Sequence, residues 1–97
     1  MGKTKFDFSG QVAIATGAAV GIGRGAAQAF ADFGAKVYLL DIDDEKTEKS
    51  AETIRDSGGD ATFIHCDITN SGEVKAVFER IVSEAGRIDV LLNNAGG

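Results

Sequence analysis

The sequence predicts an α/β protein: a parallel sheet, doubly wound, with helices on both faces. Three observations carry this. Four short apolar runs alternate with three stretches of helical period, the order in which strands joined by crossover helices appear along a chain. A glycine-rich turn, Thr16-Gly17-Ala18-Ala19-Val20-Gly21-Ile22-Gly23, leaves the first run and opens the first helical stretch. Polar residues with ligand chemistry, among them Asp41, Asp67 and Asn93, stand just past the ends of the apolar runs, the edge at which open parallel sheets bind ligands.

Residues 1–10 read as a lead-in, with Phe6 and Phe8 as apolar contacts before a Ser9-Gly10 turn. Val12-Ala13-Ile14-Ala15 is a continuous apolar run, as a central strand covered on both faces requires. Residues 20–33 then place Ile22, Ala26, Phe30 and Phe33 toward one helical face with Ala27 and Ala31 beside them, and Gly34 stands at the helix end. Residues 36–41 form the second strand. Asp43, Asp44 and Glu45 put negative charge at the start of a helix running to about residue 56. Ala51 and Ile54 are its inward positions, so it is expected to be the more exposed and more mobile helix. A Ser57-Gly58-Gly59 stop precedes a third strand over 61–66. Asn70-Ser71-Gly72-Glu73 supplies a capping signal, and Val74, Val77, Phe78, Ile81, Val82 and Ala85 follow at helical spacing. Gly86 ends that helix, and residues 88–92 make the fourth strand. Right-handed crossovers with a reversal after the third strand give the order 3-2-1-4.

With 97 residues, 43% of them hydrophobic, residues 1–97 form a single domain that buries about 60–70% of its unfolded surface. Ten basic against fifteen acidic residues leave a net charge of −5, with no basic run or zinc spacing, so a nucleic-acid partner is not expected. No apolar stretch approaches the ~20 residues that cross a bilayer, and no apolar segment follows Met1-Gly2-Lys3-Thr4-Lys5, so neither a membrane nor secretion is expected. The one cysteine, Cys66, makes no internal disulfide, which fits a cytoplasmic setting.

The glycine turn has a physical rationale. A strand that passes straight into a helix leaves backbone N–H groups at the helix start without carbonyl partners, and an anion accepts them when no side chain blocks its approach. Gly17 permits the sharp exit, Gly21 the close approach and Gly23 tight packing of helix on sheet. The spacing is G-x-x-x-G-x-G, not the commoner G-x-G-x-x-G, and three neighbouring glycines are by themselves also compatible with an ordinary turn. Asp41 closes the second apolar run 18 positions after Gly23, near the ~20 at which an acid meets an adenosine ribose.

With Thr16-Gly17-x-x-x-Gly21-Ile22-Gly23, Asp41, the pair Asp67-Ile68 and Asn93-Asn94-Ala95-Gly96 in this order, the chain resembles the short-chain dehydrogenase/reductase family over nearly all its length. The resemblance implies a Rossmann-like three-layer fold and an NAD-dependent oxidoreductase that moves hydride between NAD(H) and an alcohol or ketone. It implies a diphosphate held over Gly17, Ala18, Ala19, Val20, Gly21, Ile22 and Gly23, and ribose hydroxyls held by Asp41 with Ile42 beside it. Adenine would rest on Asp67 and Ile68, and Asn93, Asn94, Ala95 and Gly96 would form a small-residue wall of the crevice. Separately, a sheet that stops at the fourth strand leaves residues 88–92 with one ladder edge unpaired and the helix over 74–85 with part of its apolar stripe uncovered, so a homo-oligomer is expected. The residues alone leave Asp41 open as a helix cap and Asp67 as a turn former, and do not divide the work between Asn93 and Asn94. A 2′-phosphate at Asp41 would set two like charges within ~4 Å, worth about 1 kcal/mol in water and about 4 at intermediate dielectric, a preference for NAD of about fivefold to a thousandfold. Val20 and Ile42 add no cation.

Other pairings are not expected to do chemistry. His65 and Cys66 adjoin in a strand and so point to opposite faces; both are expected in the core. Arg24 is expected on the helix surface. The family's Ser, Tyr-x-x-x-Lys and further Asn are absent, and the one tyrosine, Tyr38, has Ile42 four places on. The chain is therefore expected to hold a cofactor half-site with no catalytic residue, either as the first part of a longer dehydrogenase or as a free-standing binding module. An S-adenosylmethionine methyltransferase half-domain would share the glycine turn and the two acids. It would usually carry an acid where Ala15-Thr16 stands, and it would lack Asn-Asn-Ala-Gly.

Overall fold

The computed structural model describes residues 7–17 and 21–93. Seven elements alternate: β1 (Val12–Thr16), α1 (Gly21–Asp32), β2 (Lys36–Asp41), α2 (Asp44–Asp56), β3 (Asp60–His65), α3 (Ser71–Ala85) and β4 (Val90–Asn93). The strands form one parallel sheet in the order β3-β2-β1-β4, the expected arrangement. Among the described residues no helix is long and apolar enough to cross a membrane.

The two sheet faces follow from strand alternation. Ala13, Ala15, Val37, Leu39 and Ala61 lie on one face against Ala27 and Ala31 of α1 and Ala51 and Ile54 of α2. Val12, Ile14, Tyr38, Leu40 and Ile64 lie on the other against Val77 and Ile81 of α3. The alanines of α1 set its distance from the sheet, so that helix comes close. Tyr38, 1% exposed, lays its ring in the α3 layer and its hydroxyl donates to Glu84 Oε1 at 3.3 Å. Burial and the Glu84 charge push its ionisation up, the opposite of what a general acid at neutral pH needs.

α1 ends in a paired-carbonyl turn, with Gly34 N–H donating to Ala31 O and Ala35 N–H to Phe30 O. Gly34 sits at φ +101°, and a Cβ there would lie 2.8 Å from Ser9 Oγ, so the position admits only glycine without strain. The Ser9 segment is held there by Phe8, which stacks on Phe30 at 5.0 Å and meets Phe33 edge-on at 5.8 Å. Phe6 lies outside the described residues.

Four expectations need correction. Phe33 is 42% exposed, because α1 has ended and its ring covers Phe8, not the sheet. The inward positions of α2 are not Ala51 and Ile54 alone: Thr47 and Ser50 are buried with them, whereas α3 buries Val77 and Ile81 and leaves Val82 47% exposed. Small polar side chains thus share the buried side of α2 with Ala51 and Ile54, which an apolar count does not register. β3 spans 60–65, so Cys66 lies just beyond it, its N–H donating to Asp41 O at 3.1 Å. β4 begins at Val90, not at residue 88, because Asp89 uses both N–H and carboxylate to pair Val12: Asp89 N–H donates to Val12 O at 2.9 Å and Asp89 Oδ2 accepts from Val12 N–H at 2.8 Å. Arg87 holds that carboxylate at 2.6 Å and with the Val12 bond lowers its pKa.

Ile81→Ala removes a fully buried side chain where α3 meets the sheet and is expected to cost about 2–4 kcal/mol in urea unfolding, whereas Val82→Ala is expected to cost about 0.5 or less. Equal losses would mean that the face of α3 turned to the sheet has been misassigned.

Candidate functional site

Because all four strands run parallel, their C-terminal ends share one edge, and the expected site residues follow from it. Gly17 leaves β1 at φ +63° with its N–H donating to Leu40 O at 3.0 Å. A residue with a Cβ is disfavoured there by about 1–2 kcal/mol. α1 then opens at Gly21, with Ile22 and Gly23 in its first turn, and that turn carries no acidic residue. The first turns of α2 and α3 do: Asp44 and Glu45 in one, Glu73 in the other. The positive end of α1 is thus the one this chain does not meet with carboxylates of its own in that turn, which suits an anionic ligand. Ala18, Ala19 and Val20 lie outside the described residues. Arg24 is exposed on α1, as expected.

Asp41 ends β2, half-buried, with its Oδ1 accepting from Asp43 N–H at 3.0 Å. It is not the cap of α2: that is Asp43, whose Oδ1 accepts from Lys46 N–H at 3.0 Å. Ile42 between them is 62% exposed.

Asp67 stands two residues past β3 and does form a turn. Its Oδ1 accepts from Thr69 N–H at 3.0 Å and from Thr69 Oγ1 at 2.6 Å. These bonds favour the ionised form and hold the carboxyl below its ordinary 3.8. Its own N–H donates to Glu73 Oε1 at 2.8 Å. Glu73 reaches Asp67 and not Asn70 because Asn70 N–H already donates to Asp67 O, while Asn70 Oδ1 caps α3 through Glu73 N–H. Ile68 borders an apolar hollow of about 170 Å³ lined also by Thr16, Leu40, Val74, Phe78 and Leu91. That volume lies below the roughly 300–1,000 Å³ of a site enclosing a whole ligand and suits one ring.

Asn93 is the last residue of β4, in register with Thr16 of β1, so it marks the point where the strand order reverses. Asn94, Ala95 and Gly96 lie outside the described residues.

The expectation for His65 is overturned. Cys66 is buried, and burial raises its thiol pKa, but His65 is exposed at the end of the edge strand and pairs through Nδ1 with Asp44 Oδ1. β3 has a neighbour on one side only, and α2 meets this corner with its charged start. Two groups escaped the sequence reading: Thr69, although Asp-x-Thr is a turn signature, and the His65–Asp44 pair, whose partners are 21 positions apart.

A family model described as short chain dehydrogenase matches residues 11–97. An uncharacterized oxidoreductase of Bacillus subtilis, YxbG, is 42% identical over 86 residues, 89% of this chain and 32% of its own length. Among solved structures, a citronellol catabolism dehydrogenase of Pseudomonas aeruginosa superposes with a TM-score of 0.92 at 40% identity, covering 97% of this chain and 39% of that one. A metagenomic short-chain oxidoreductase in complex with NADP gives 0.88 at 40% identity, covering 92% and 40%. The chain spans about a third of the length of the curated relatives it matches.

The Asp67 geometry yields a pH prediction. A carboxyl whose folded pKa is lowered adds stability that is present above its ordinary value and lost as pH falls through the lowered one. Thr69→Val removes the hydroxyl bond and should raise the Asp67 pKa part of the way to 3.8, read from its carboxyl carbon-13 shift; an unmoved titration would show that the hydroxyl is not the cause.

Proposed function

The chain belongs to the short-chain dehydrogenase family, and on that premise we propose that it is the NAD-binding half of an oxidoreductase that moves hydride between NAD(H) and an alcohol or ketone. The observation that carries this reading is Asp41: it stands at the end of β2 on the ligand edge, and the capping of α2 that would otherwise account for it is done by Asp43. Asp41 would accept from the ribose hydroxyls, with Ile42 alongside. The diphosphate would lie over Gly17, Ala18, Ala19, Val20, Gly21, Ile22 and Gly23 at the acid-free start of α1. Adenine would rest by Asp67 and Ile68, the apolar hollow supporting a ring there. Asn93, Asn94, Ala95 and Gly96 would border the crevice. When bound, the nicotinamide supplies the site that accepts or donates hydride; this chain's residues bind and orient the dinucleotide.

One relative is a structure in complex with NADP, so the preference for NAD rests on the Asp41 charge and on the absence of a cation at Val20 and Ile42. We propose further that the reacting residues belong to a part of the protein beyond this half, a reading supported by the share of the relatives' length that the chain covers. The one cysteine, buried as a free thiol, supports a cytoplasmic setting. Val82 and Leu91, 47% and 51% exposed, support self-association on the α3 side of the sheet.

Fluorescence titration with both reduced cofactors tests the reading. The full-length protein is expected to favour NADH, and Asp41→Ala to narrow the ratio by about fivefold or more; equal affinities in the unaltered protein would refute it. The 97-residue chain alone is expected to turn over no alcohol or ketone with NAD, and turnover by a fragment of verified mass would relocate the active centre into it.

A further inference from the structure

We propose that His65 is a positioning residue for the cofactor's adenosine ribose, acting through Asp44: the imidazole clasps the start of α2 and so fixes the turn that aims Asp41. This rests on the reading of Asp41 as the ribose acid. Asp41 and His65 are register partners on adjacent strands. By alternation they continue the rows of Val37, Leu39 and of Ala61, Phe63, so both side chains leave the sheet on the face of α1 and α2. Two residues, Ile42 and Asp43, separate Asp41 from Asp44. Within that span Asp43 N–H donates to the Asp41 carboxylate and Asp43 caps α2. The turn is thus closed at one end by the β2–β3 ladder, where Cys66 N–H donates to Asp41 O. At the other end it is closed by the His65–Asp44 pair. Releasing Asp44 loosens the helix start and with it the Asp43 N–H that the Asp41 carboxylate accepts.

The pair is a switch in the physiological range because only the imidazolium gives it full strength. The charges that act on the ring come from Asp44 on α2, from Glu73 on α3 and from Asp67 before it, with Asp41 as its neighbour on β2. All are acids, and the Asp44 hydrogen bond, the largest influence, raises the pKa above its ordinary 6.5. The charged clasp is therefore complete below that ordinary value and is lost as pH rises through the raised one.

His65 is the one histidine of residues 1–97, and its imidazole signal is identified by its loss in His65→Gln. In the full-length protein, NADH affinity is expected to fall about two- to fivefold between about pH 5.5 and 8.5. His65→Gln and Asp44→Asn should flatten that profile, and His65→Lys should keep the tighter affinity to higher pH. Without cofactor, the backbone amide signals of Ile42 and Asp43 should titrate with the imidazole and cease to do so in Asp44→Asn. A His65→Gln profile parallel to the unaltered one, or amides that ignore the imidazole, would overturn the proposal. Loss of the Asp41→Ala effect would instead overturn the ribose reading, and the amide titration would still judge the clasp.

Discussion

A strand covered on both faces and paired along both edges has no water for any of its polar groups, and β1 is in that position. Its five residues are at most 5% exposed and it is laddered to β2 on one side and β4 on the other. Every backbone donor must find a protein acceptor, down to the first: Val12 N–H lies where β4 has not yet begun, and the Asp89 carboxylate takes it. Residues around β1 are chosen to suit. Alanines at 13, 15, 27 and 31 bring α1 down on one face, and branched side chains at 12 and 14 meet α3 on the other. Once β1 is central and its neighbours run parallel, the ligand edge is fixed, since all strand ends that deliver Gly17, Asp41 and Asn93 fall on one side.

At that edge carboxylates are abundant, and what distinguishes them is which bonds each has already accepted. Asp43 is committed to a helix start and Asp67 to an Asx turn closed by Thr69. Asp41 accepts a backbone N–H from Asp43 within its own turn and caps neither helix. Helix starts differ in the same way. α2 and α3 carry acids in their first turns and side-chain caps at Asp43 and Asn70, whereas the first turn of α1 is built from glycine, isoleucine and arginine. A chain that meets two of its positive helix ends with its own carboxylates and gives the third none in that turn has marked where an external anion fits.

Much of this was legible in the sequence because it rests on local signals. The helix-stopping glycines, the period of α3 and the all-apolar run of β1 each reflect one segment's own physics, and they predict the element order and the strand order correctly. The misreadings share a cause: each depended on a neighbour distant in sequence. Phe33 has the apolar character of a core residue but covers Phe8. Thr47 and Ser50 have polar character and are buried, and Ser50 Oγ donates to Lys46 O of its own helix. Asp89 belongs by pattern to a strand, yet it serves the start of β1, 77 positions away. His65 has the pattern of a core position but is exposed, because alternation says which face a side chain takes but not whether anything covers that face.

The two outer strands differ in a way that bears on the same question. β3 carries Asp60 at one end and His65 at the other, both exposed and both ion-paired, to Lys36 and to Asp44. Charges at the ends of a short strand discourage pairing by another chain, so β3 has the marks of a true edge. β4 has no charged residue, and its Leu91 is 51% exposed on the face that α3 only partly covers. An uncharged ladder edge beside exposed leucine is where a parallel sheet most readily extends. This asymmetry arises from residue choice alone. It supports the proposal that this chain self-associates on the α3 side of the sheet, where Val82 and Leu91 are exposed.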